Sequence, residues 1–260
     1  MTHTFPDASA SAPDAAPPRL VGIGVGPGDP ELVTLKAVRE LSQADVVLVP
    51  ATEESAGGPG RAETIVQQVC PTARIVRVPF SMADRSGVSS RRKQAWLDSA
   101  EAAVRAFTDG ARGVVLATIG DPSVFSTFSY LADHVRERVP GVVVDLVPGI
   151  TAMQALAARS GTPLVEGTET LALVPATAGL DTVSAIADSV DTIVIYKGGR
   201  RLPEVVDLLR RRGRQAVLGV QLGMEDEQLL TLDDLTDGQQ APYLSTVLAP
   251  ATRTTTGGRL

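Results

Sequence analysis

The fold is decided by residues 113–122, which read Gly113-Val114-Val115-Leu116-Ala117-Thr118-Ile119-Gly120-Asp121-Pro122. The apolar, β-branched start predicts a buried strand, and the Gly-Asp-Pro that follows predicts a turn at its carboxyl end. In open α/β sheets, ligands bind at this edge of the sheet. A second Gly-Asp-Pro, Gly28-Asp29-Pro30, follows another strand-like run near the start of the chain. Two such turns in one chain indicate a ligand-binding edge rather than ordinary loops.

Strand-like and helix-like segments alternate along the chain. Apolar runs predict strands over residues 20–25, 46–49, 74–78, 114–117, 142–147, 171–174, 192–196 and 216–220. Helical spacing predicts helices that include residues 62–69, 89–107, 123–138 and 203–212. Asp29 is a candidate N-cap for a helix that begins at Pro30. The alternation predicts a mainly parallel sheet with helices on both faces, and residues 228–232 and 244–248 look like paired strands.

The length of 260 residues fits two α/β halves of about 120 residues each. We predict an N-terminal α/β domain over residues 19–140 and a C-terminal α/β domain over residues 141–250. Residues 1–18 are mostly Ala, Ser, Pro, Thr and Asp, which predicts a disordered tail. Residues 251–260 have a similar composition and are predicted to form a flexible tail.

Composition limits the function to a few classes. The chain is 43% hydrophobic and 21% charged, which is typical of a globular protein. A net charge of −6 disfavours a general nucleic-acid binder, although a local basic pocket remains compatible with it. Cys70 is the only cysteine, so a multi-cysteine metal site is excluded, and no metal is predicted. No apolar run has the length of a membrane span and the first residues do not form a signal peptide, so we expect a cytoplasmic enzyme.

The glycines near the start of the chain do not form a nucleotide motif. Gly22, Gly24, Gly26 and Gly28 alternate with other residues, but G-x-G-x-x-G fails in both registers, at Pro27 and at Asp29. A G-x-x-x-x-G-K-[ST] loop is also absent from the sequence, so a ligand without phosphate is favoured. The glycines either let the backbone approach a bulky ligand or permit a positive φ, and the sequence leaves both explanations open.

Several polar residues follow predicted strands. Asp121 could hydrogen-bond a ligand, but an isolated Asp-Pro more often forms an Asx turn or caps a helix. Lys197 lies at another strand end, where lining a pocket is favoured over Schiff-base chemistry. Residues 91–93 and 210–212 are basic runs best explained as exposed helix faces, with contact to an acidic substrate as the alternative. Arg61 is a stronger candidate, because it lies in a glycine-rich loop after the second strand, on the expected ligand edge.

Taken together, these motifs resemble the tetrapyrrole methylase family, whose members methylate precorrins and uroporphyrinogen with S-adenosylmethionine. The matching elements are Gly24-Val25-Gly26-Pro27-Gly28-Asp29-Pro30 with Leu32-Val33-Thr34-Leu35-Lys36, Ile119-Gly120-Asp121-Pro122, Val147-Pro148-Gly149-Ile150-Thr151-Ala152, and Tyr196-Lys197. They occur in the family's order, and the match covers residues 20–248. Residues 118–131, with their serine and aromatic run, and residues 167–176 are most similar to members that methylate C20 of precorrin-2. Phe125 and Phe128 depart from the pattern, since many such sequences have tyrosines there.

The resemblance implies two α/β domains with the ligand cleft between them, and a homodimer. It implies that S-adenosylmethionine is the methyl donor and contacts Pro27, Ile119, Gly120, Asp121, Val124, Thr151, Ala152, Ala176, Lys197, Gly223 and Met224. Asp121 would face polar groups of this cofactor, which carries no phosphate. Arg61 is our first candidate for the carboxylates of a reduced tetrapyrrole substrate, and Tyr130 is a weaker polar contact.

The implied reaction is methylation of C20 of precorrin-2 or cobalt-precorrin-2 in cobalamin biosynthesis. It requires neither a metal nor a covalent nucleophile. Three alternatives stay open, namely methylation at another ring position, action on a diphthamide precursor or ribosomal RNA, and ligand binding without catalysis. The net negative charge disfavours the RNA substrate. The sequence leaves the base for the C20 proton and the presence of cobalt undecided.

Overall fold

The computed structural model describes residues 16–51, 58–80 and 90–253. The first part of the chain contains strands β1 (Arg19–Gly24), β2 (Val46–Ala51), β3 (Ile75–Pro79), β4 (Gly113–Thr118) and β5 (Val143–Val147). They form a fully parallel sheet in the order β3-β2-β4-β1-β5. The helices between them are α1 (Leu35–Gln43), α2 (Arg61–Val69), α3 (Ser90–Thr108) and α4 (Phe128–Arg138).

The second part forms another sheet. Its strands are β6 (Leu171–Pro175), β7 (Thr192–Tyr196), β8 (Val217–Val220), β9 (Gln228–Thr231) and β10 (Ser245–Ala249), and its helices are α5 (Ala152–Ser160), α6 (Leu180–Ser189) and α7 (Leu202–Arg211). The strand order is β6-β7-β10-β8-β9. The α/β class is therefore confirmed. A mainly parallel sheet is wrong for this second part, because β10 runs antiparallel to both of its neighbours and β9 runs antiparallel to β8.

Alternating side chains of the first sheet pack into two separate hydrophobic cores, one on each face. Val21 and Ile23 of β1 point towards α1 and α2, whereas Leu20 points towards α3 and α4. Strands β1 and β4 are neighbours, yet the helices that follow them, α1 and α4, lie on opposite faces. A crevice opens beyond the carboxyl ends of two such strands, and in α/β sheets this is where ligands bind. Both Gly-Asp-Pro turns follow these two strands.

The predicted domain limits need three corrections. Strand β5 hydrogen-bonds in parallel to β1, so the first sheet extends to Val147 and a boundary at residue 140 assigns β5 to the wrong half. The predicted N-terminal tail ends too late, because Pro18 O accepts a hydrogen bond from Val143 N at 2.8 Å. The C-terminal tail begins too early, because Arg253 forms an ion pair with Glu169 at 2.6 Å. Residues 1–15 and 254–260 lie outside the described residues.

Local predictions also differ in three places. The predicted pair of strands at the end is wrong, because β9 and β10 both pair with β8, which lies between them. Asp29 caps only a short 3-10 helix, Pro30–Leu32, and α1 starts at Leu35 with Thr34 as its N-cap. Helix α4 starts at Phe128 rather than residue 123, since the turn at Asp121 and a positive φ of 51° at Phe125 interrupt the helix.

Candidate functional site

The carboxyl ends of the two sheets meet and are joined by direct contacts. Phe125, which follows β4, packs against Tyr196 at the end of β7, with ring centroids 5.6 Å apart. The Tyr196 hydroxyl also accepts a hydrogen bond from Met153 N at 2.8 Å. The residues that follow β1, β4 and β5 therefore face the residues that follow β6, β7 and β8, and we call the region between these two edges the cleft.

Three glycines form a tight backbone junction on the first side of this cleft. A Cβ at Gly24 would lie 2.7 Å from the backbone of Gly149 and closer still to Gly120 O, and a Cβ at Gly149 would also collide with that oxygen. Backbone atoms cannot rotate away, so both positions accept only glycine. Gly120 differs, because its φ is +72° and an added Cβ would meet only Thr151 Cα at 4.0 Å. The positive φ, rather than a lack of room, is therefore what favours glycine at position 120.

A second glycine contact ties the two edges together. A Cβ on Gly28 would collide with Leu222 O and lie 3.0 Å from Met224 Sδ. Gly223 has a φ of +74°, and an added Cβ there would collide with Asp29 N. The loop after β1 and the turn after β8 are thus packed backbone against backbone. This contact brings the predicted residues Pro27, Gly223 and Met224 into one region.

Asp121 is almost fully engaged within the protein. The residue is only 8% exposed to solvent. One carboxylate oxygen accepts hydrogen bonds from Ser123 N, at 2.7 Å, and from the Ser123 hydroxyl, and the other accepts one from Gly149 N at 2.9 Å. Burial raises the pKa of Asp121, but these hydrogen bonds outweigh it and the pKa is lowered. The Asx turn is confirmed, and the carboxylate also links the turn after β4 to the turn after β5 through its hydrogen bond with Gly149 N.

The start of α5 is fixed against the second sheet. Gln154 Oε1 accepts a hydrogen bond from Thr151 N at 2.9 Å, which closes the first turn of the helix. Burial raises the pKa of Tyr196, while hydrogen bonds with Thr151 and Met153 N act in the opposite direction. Thr151 and Ala152 are therefore held at the cleft by contacts from both of its sides.

Backbone strain is concentrated at the cleft. Among non-glycine residues of the described chain, positive φ occurs at Phe125 (51°), Lys197 (57°) and Gln221 (52°). They follow β4, β7 and β8, so each lies at a carboxyl end. Such conformations cost about 1–3 kcal/mol each and persist where surrounding structure enforces them, which is typical of functional sites.

Arg61 reaches across the cleft. It is the first residue of α2, and its Nη2 donates a hydrogen bond to Gln221 Oε1 at 2.6 Å. The predicted substrate residue thus joins the loop after β2 to the turn after β8. Its acceptor is a neutral amide, so its guanidinium charge is not neutralised by this contact.

A group of aromatic and cationic side chains lies beside the cleft, and we call it the aromatic–cation cluster. It consists of Arg92 and Trp96 on α3, Phe125, Tyr130 on α4 and Lys197. The Arg92 guanidinium lies 5.0 Å from the centroid of the Trp96 ring, which stacks on Tyr130 at 4.5 Å. Lys197 Nζ lies 5.0 Å from the Phe125 ring centroid. Burial lowers the pKa of Lys197, and the positive charge of Arg92 lowers it further.

Sequence reasoning missed this cluster in part. The interpretation of residues 91–93 as an exposed helix face is wrong for Arg92, which is half-buried over Trp96. The two residues are four positions apart on one helix, and this spacing places side chains on the same face. That signal was readable, whereas the approach of Lys197 from the other sheet was not.

Most of the predicted site residues converge on the cleft. After the first sheet's strands come Pro27, Ile119, Gly120, Asp121, Val124, Thr151 and Ala152, and after the second sheet's strands come Ala176, Lys197, Gly223 and Met224. Arg61 lies at the same edge, next to Gln221. Tyr130 is one step further out, because it packs on Trp96 and is 53% exposed.

Within residues 16–51, 58–80 and 90–253, no group of three or more His, Cys, Asp or Glu side chains could hold a metal ion. Nor does any helix of this part combine the length and the apolar character needed to cross a membrane.

Comparisons with known proteins agree on one family. A family model described as Tetrapyrrole (Corrin/Porphyrin) Methylases matches residues 19–236. The precorrin-2 C(20)-methyltransferase of Sinorhizobium sp is 33% identical over 89% of this chain and 95% of its own length. A probable cobalt-precorrin-2 C(20)-methyltransferase of Methanocaldococcus jannaschii is 34% identical over 87% of this chain and 94% of its own. Among solved structures, uroporphyrin-III C-methyl transferase from Thermus thermophilus, complexed with S-adenyl homocysteine, has a TM-score of 0.64, 24% identity, and coverage of 89% of this chain and 92% of that one.

Proposed function

The chain belongs to the tetrapyrrole (corrin/porphyrin) methylases, and on that premise we propose that it transfers a methyl group from S-adenosylmethionine to C20 of precorrin-2 or cobalt-precorrin-2. The names of the two relatives above support this substrate, and the proposal includes a role in cobalamin biosynthesis. The observation that carries the proposal is that the carboxyl edges of the two sheets meet beside Gly120, Thr151 and Tyr196. A homodimer is part of the proposal and rests on the family resemblance, and a cytoplasmic location is proposed with it.

The residues at the cleft fit a donor that lacks phosphate. In the proposal, Pro27, Ile119, Gly120, Asp121, Val124, Thr151, Ala152, Ala176, Lys197, Gly223 and Met224 surround S-adenosylmethionine. When bound, the donor supplies an electrophilic methyl group on a sulfonium. Asp121 acts mainly through the backbone that it holds, because both of its oxygens already accept hydrogen bonds from the protein. Gly120 lets the donor approach the backbone, because it has no side chain and an added Cβ would meet only Thr151 Cα, at 4.0 Å.

The protein's share of the catalysis is alignment and exclusion of water. Precorrin-2 is itself an electron-rich carbon nucleophile, so the enzyme needs no covalent group of its own. Holding two reactants in line can contribute about 7–11 kcal/mol. The tight glycine contacts and the strained residues at the strand ends give the rigidity that such alignment requires. A closed cleft between the sheets also keeps water from the transfer path.

Substrate carboxylates require cations at the cleft. Arg61 is proposed to bind one of them, because its guanidinium lies at the edge of the cleft, where it donates a hydrogen bond to Gln221. A guanidinium can bind a carboxylate through two parallel hydrogen bonds, and an acidic tetrapyrrole supplies carboxylates.

The test is a single-turnover assay with methyl-¹³C-labelled S-adenosylmethionine and precorrin-2, with and without cobalt. The expected result is one new carbon signal coupled to C20 in the product. A label at another ring carbon would support a different regiospecificity, and binding of both ligands without transfer would overturn catalysis.

A further inference from the structure

Gln221 is held in a strained backbone conformation directly after β8. Its φ is 52°, a region that residues with side chains adopt rarely. Its N–H donates a hydrogen bond to Leu244 O at 3.1 Å, and its carbonyl accepts one from Met224 N at 3.0 Å. Strain of this kind persists where the surrounding structure enforces it, and it is typical of functional sites. The position of the Gln221 side chain is therefore set by the turn that carries it.

The side-chain amide of Gln221 lies between a group that only donates hydrogen bonds and a group that only accepts them. Arg61 Nη2 donates to Gln221 Oε1 at 2.6 Å, and Gln221 Nε2 donates to the carboxylate of Asp226. A guanidinium has no acceptor, and an ionised carboxylate has no donor. Turning the amide over would place its nitrogen against the guanidinium and its oxygen against the carboxylate. Asp226 therefore fixes the amide with its oxygen towards Arg61.

The turn that carries Gln221 is anchored on two sides. Glu227 accepts a hydrogen bond from Gly223 N at 2.7 Å and forms an ion pair with Arg159 of α5 at 2.6 Å. On the other side, a Cβ at Gly223 would collide with Asp29 N in the loop after β1. Gln221 thus projects from a turn that is held by both halves of the chain.

The backbone at Arg61 is fixed independently by a buried carboxylate. Arg61 is the first residue of α2, and in the same turn Glu63 accepts a hydrogen bond from Gly60 N at 3.3 Å. The buried Glu63 side chain also accepts two hydrogen bonds from Arg77 of β3, at 2.8 and 3.0 Å. The start of α2 is therefore held in place, and the long side chain of Arg61 reaches from it to Gln221 on the opposite edge of the cleft.

This arrangement prepares the Arg61 guanidinium for a carboxylate ligand. A long side chain loses rotamer freedom when it binds a ligand, and a contact that orders it beforehand improves affinity by about 3- to 10-fold. A neutral amide orders the guanidinium without competing as an anion. A carboxylate at position 221 would instead form an ion pair with Arg61 and oppose binding of a substrate carboxylate.

We propose that Gln221 is a positioning residue for substrate binding, whose amide orients the Arg61 guanidinium towards a carboxylate of the tetrapyrrole, and that Asp226 fixes the orientation of that amide. This inference rests on the function proposed above and on the substrate role of Arg61 in it. The hydrogen bond joins the two edges of the cleft, so Arg61 is oriented only while the edges are together. Substrate affinity is thereby tied to the arrangement of the two sheets.

Calorimetry tests the proposal, with uroporphyrin III as a stable carboxylate-bearing tetrapyrrole and S-adenosylhomocysteine as the donor-site probe. Gln221→Met keeps the length of the side chain and removes the acceptor, so it should raise the Kd for uroporphyrin III about 3- to 10-fold. The Kd for S-adenosylhomocysteine should change less than about 2-fold, because the backbone hydrogen bonds of the turn remain. Asp226→Leu should also raise the Kd for uroporphyrin III, because the amide can then turn over.

A double-mutant cycle separates positioning from a purely structural contact. In an Arg61→Ala background, Gln221→Met should not change the Kd for uroporphyrin III further, because no guanidinium is left to orient. A purely structural contact would give the same fold-change with and without Arg61. Gln228→Met makes the same chemical change at an exposed position of β9 and should leave both affinities unchanged.

The outcomes that overturn this role differ from those that overturn the reaction. An unchanged Kd for uroporphyrin III in Gln221→Met, or equal fold-changes in the two Arg61 backgrounds, would overturn the positioning role. An unchanged Kd in Asp226→Leu would remove Asp226 from it. Absence of C20 methylation by the natural protein, with the cycle as expected, would refute the proposed reaction and leave the positioning of Arg61 standing.

Discussion

Replacing Asp121 with alanine should destabilise the first sheet and loosen the cleft. The change removes the acceptor for Gly149 N, at 2.9 Å, and for Ser123 N, at 2.7 Å. A buried donor left without its acceptor costs about 1–3 kcal/mol, and Ser123 is exposed enough for water to replace part of its bond. The expected loss is therefore about 2–4 kcal/mol. With an m-value of about 3 kcal/mol/M, suited to a domain of this size, the urea midpoint falls by about 1 M.

Urea unfolding of these variants can be followed by the fluorescence of Trp96. It is the only tryptophan of the chain and lies on α3, in the same half as Asp121, so its fluorescence reports unfolding of that half. Asp121→Asn sharpens the test, because one side-chain oxygen can still close the turn to Ser123 while the amide nitrogen faces Gly149 N. We expect this variant to lose about 1–3 kcal/mol, less than the alanine variant. Ser123→Ala removes only an exposed hydroxyl and should cost least.

The effect should also depend on pH. The folded pKa of Asp121 is lowered, since its hydrogen bonds outweigh the effect of burial. Its contribution is therefore complete above the unfolded pKa of about 3.9 and is lost as the pH falls through the folded value. The stability gap between the natural protein and Asp121→Asn should be constant near pH 7 and shrink below about pH 4. Equal urea midpoints of the natural protein and Asp121→Asn at pH 7, combined with weaker S-adenosylhomocysteine binding by the variant, would refute this structural role and indicate that Asp121 contacts the ligand directly.

Three other predictions concern Gly24, Arg61 and Arg253. Gly24→Ala should lower the free energy of unfolding by more than about 3 kcal/mol or prevent folding, because its Cβ collides with backbone. Gly113→Ala is the matched control and should be tolerated, because its Cβ meets neighbours only at 3.8 Å. Circular dichroism and urea unfolding would show both results, and a stable Gly24→Ala would disprove the tight junction. Arg61→Ala should raise KM for the tetrapyrrole about 10-fold and leave S-adenosylhomocysteine affinity unchanged in calorimetry, and an unchanged KM would remove it from the substrate site. Arg253→Met should lower the thermal midpoint, because the buried Glu169 carboxylate loses its partner, and an unaltered midpoint would show that the ion pair is dispensable.

The first sheet was predictable because its inner strands, β1, β2 and β4, are buried on both faces. Runs such as residues 114–117 contain only apolar residues, and a parallel strand covered by helices leaves this pattern. The place of β5 was not predictable in the same way. Its sequence fits an edge strand in either half, and only its hydrogen bonds to β1 decide the matter. The mixed second sheet was missed because strand direction is set by long-range pairing, which β10 makes with both β7 and β8.

The candidate site was predictable where it depends on backbone. Glycines at strand ends and Asp-Pro turns have local reasons that a sequence displays, and the structure places Gly24, Gly120 and Asp121 at the cleft. The side chains that cross between the sheets have no local signal. Lys197 meets Phe125 only because β4 and β7 end at the same cleft, although 72 positions separate the two residues.

The two sheets contribute different chemistry to the cleft, and this difference predicts how variants should behave. The first edge contributes mainly backbone, with Gly24 and Gly149 packed against the backbone of Gly120 too closely for side chains. The second contributes side chains, with Tyr196 and Lys197 projecting from the end of β7. Changes at these two glycines must move backbone that the whole sheet shares, so they should reduce stability and both affinities together. Changes at Lys197 alter one charge on a framework that stays in place, so they should change ligand affinity with little effect on the urea midpoint.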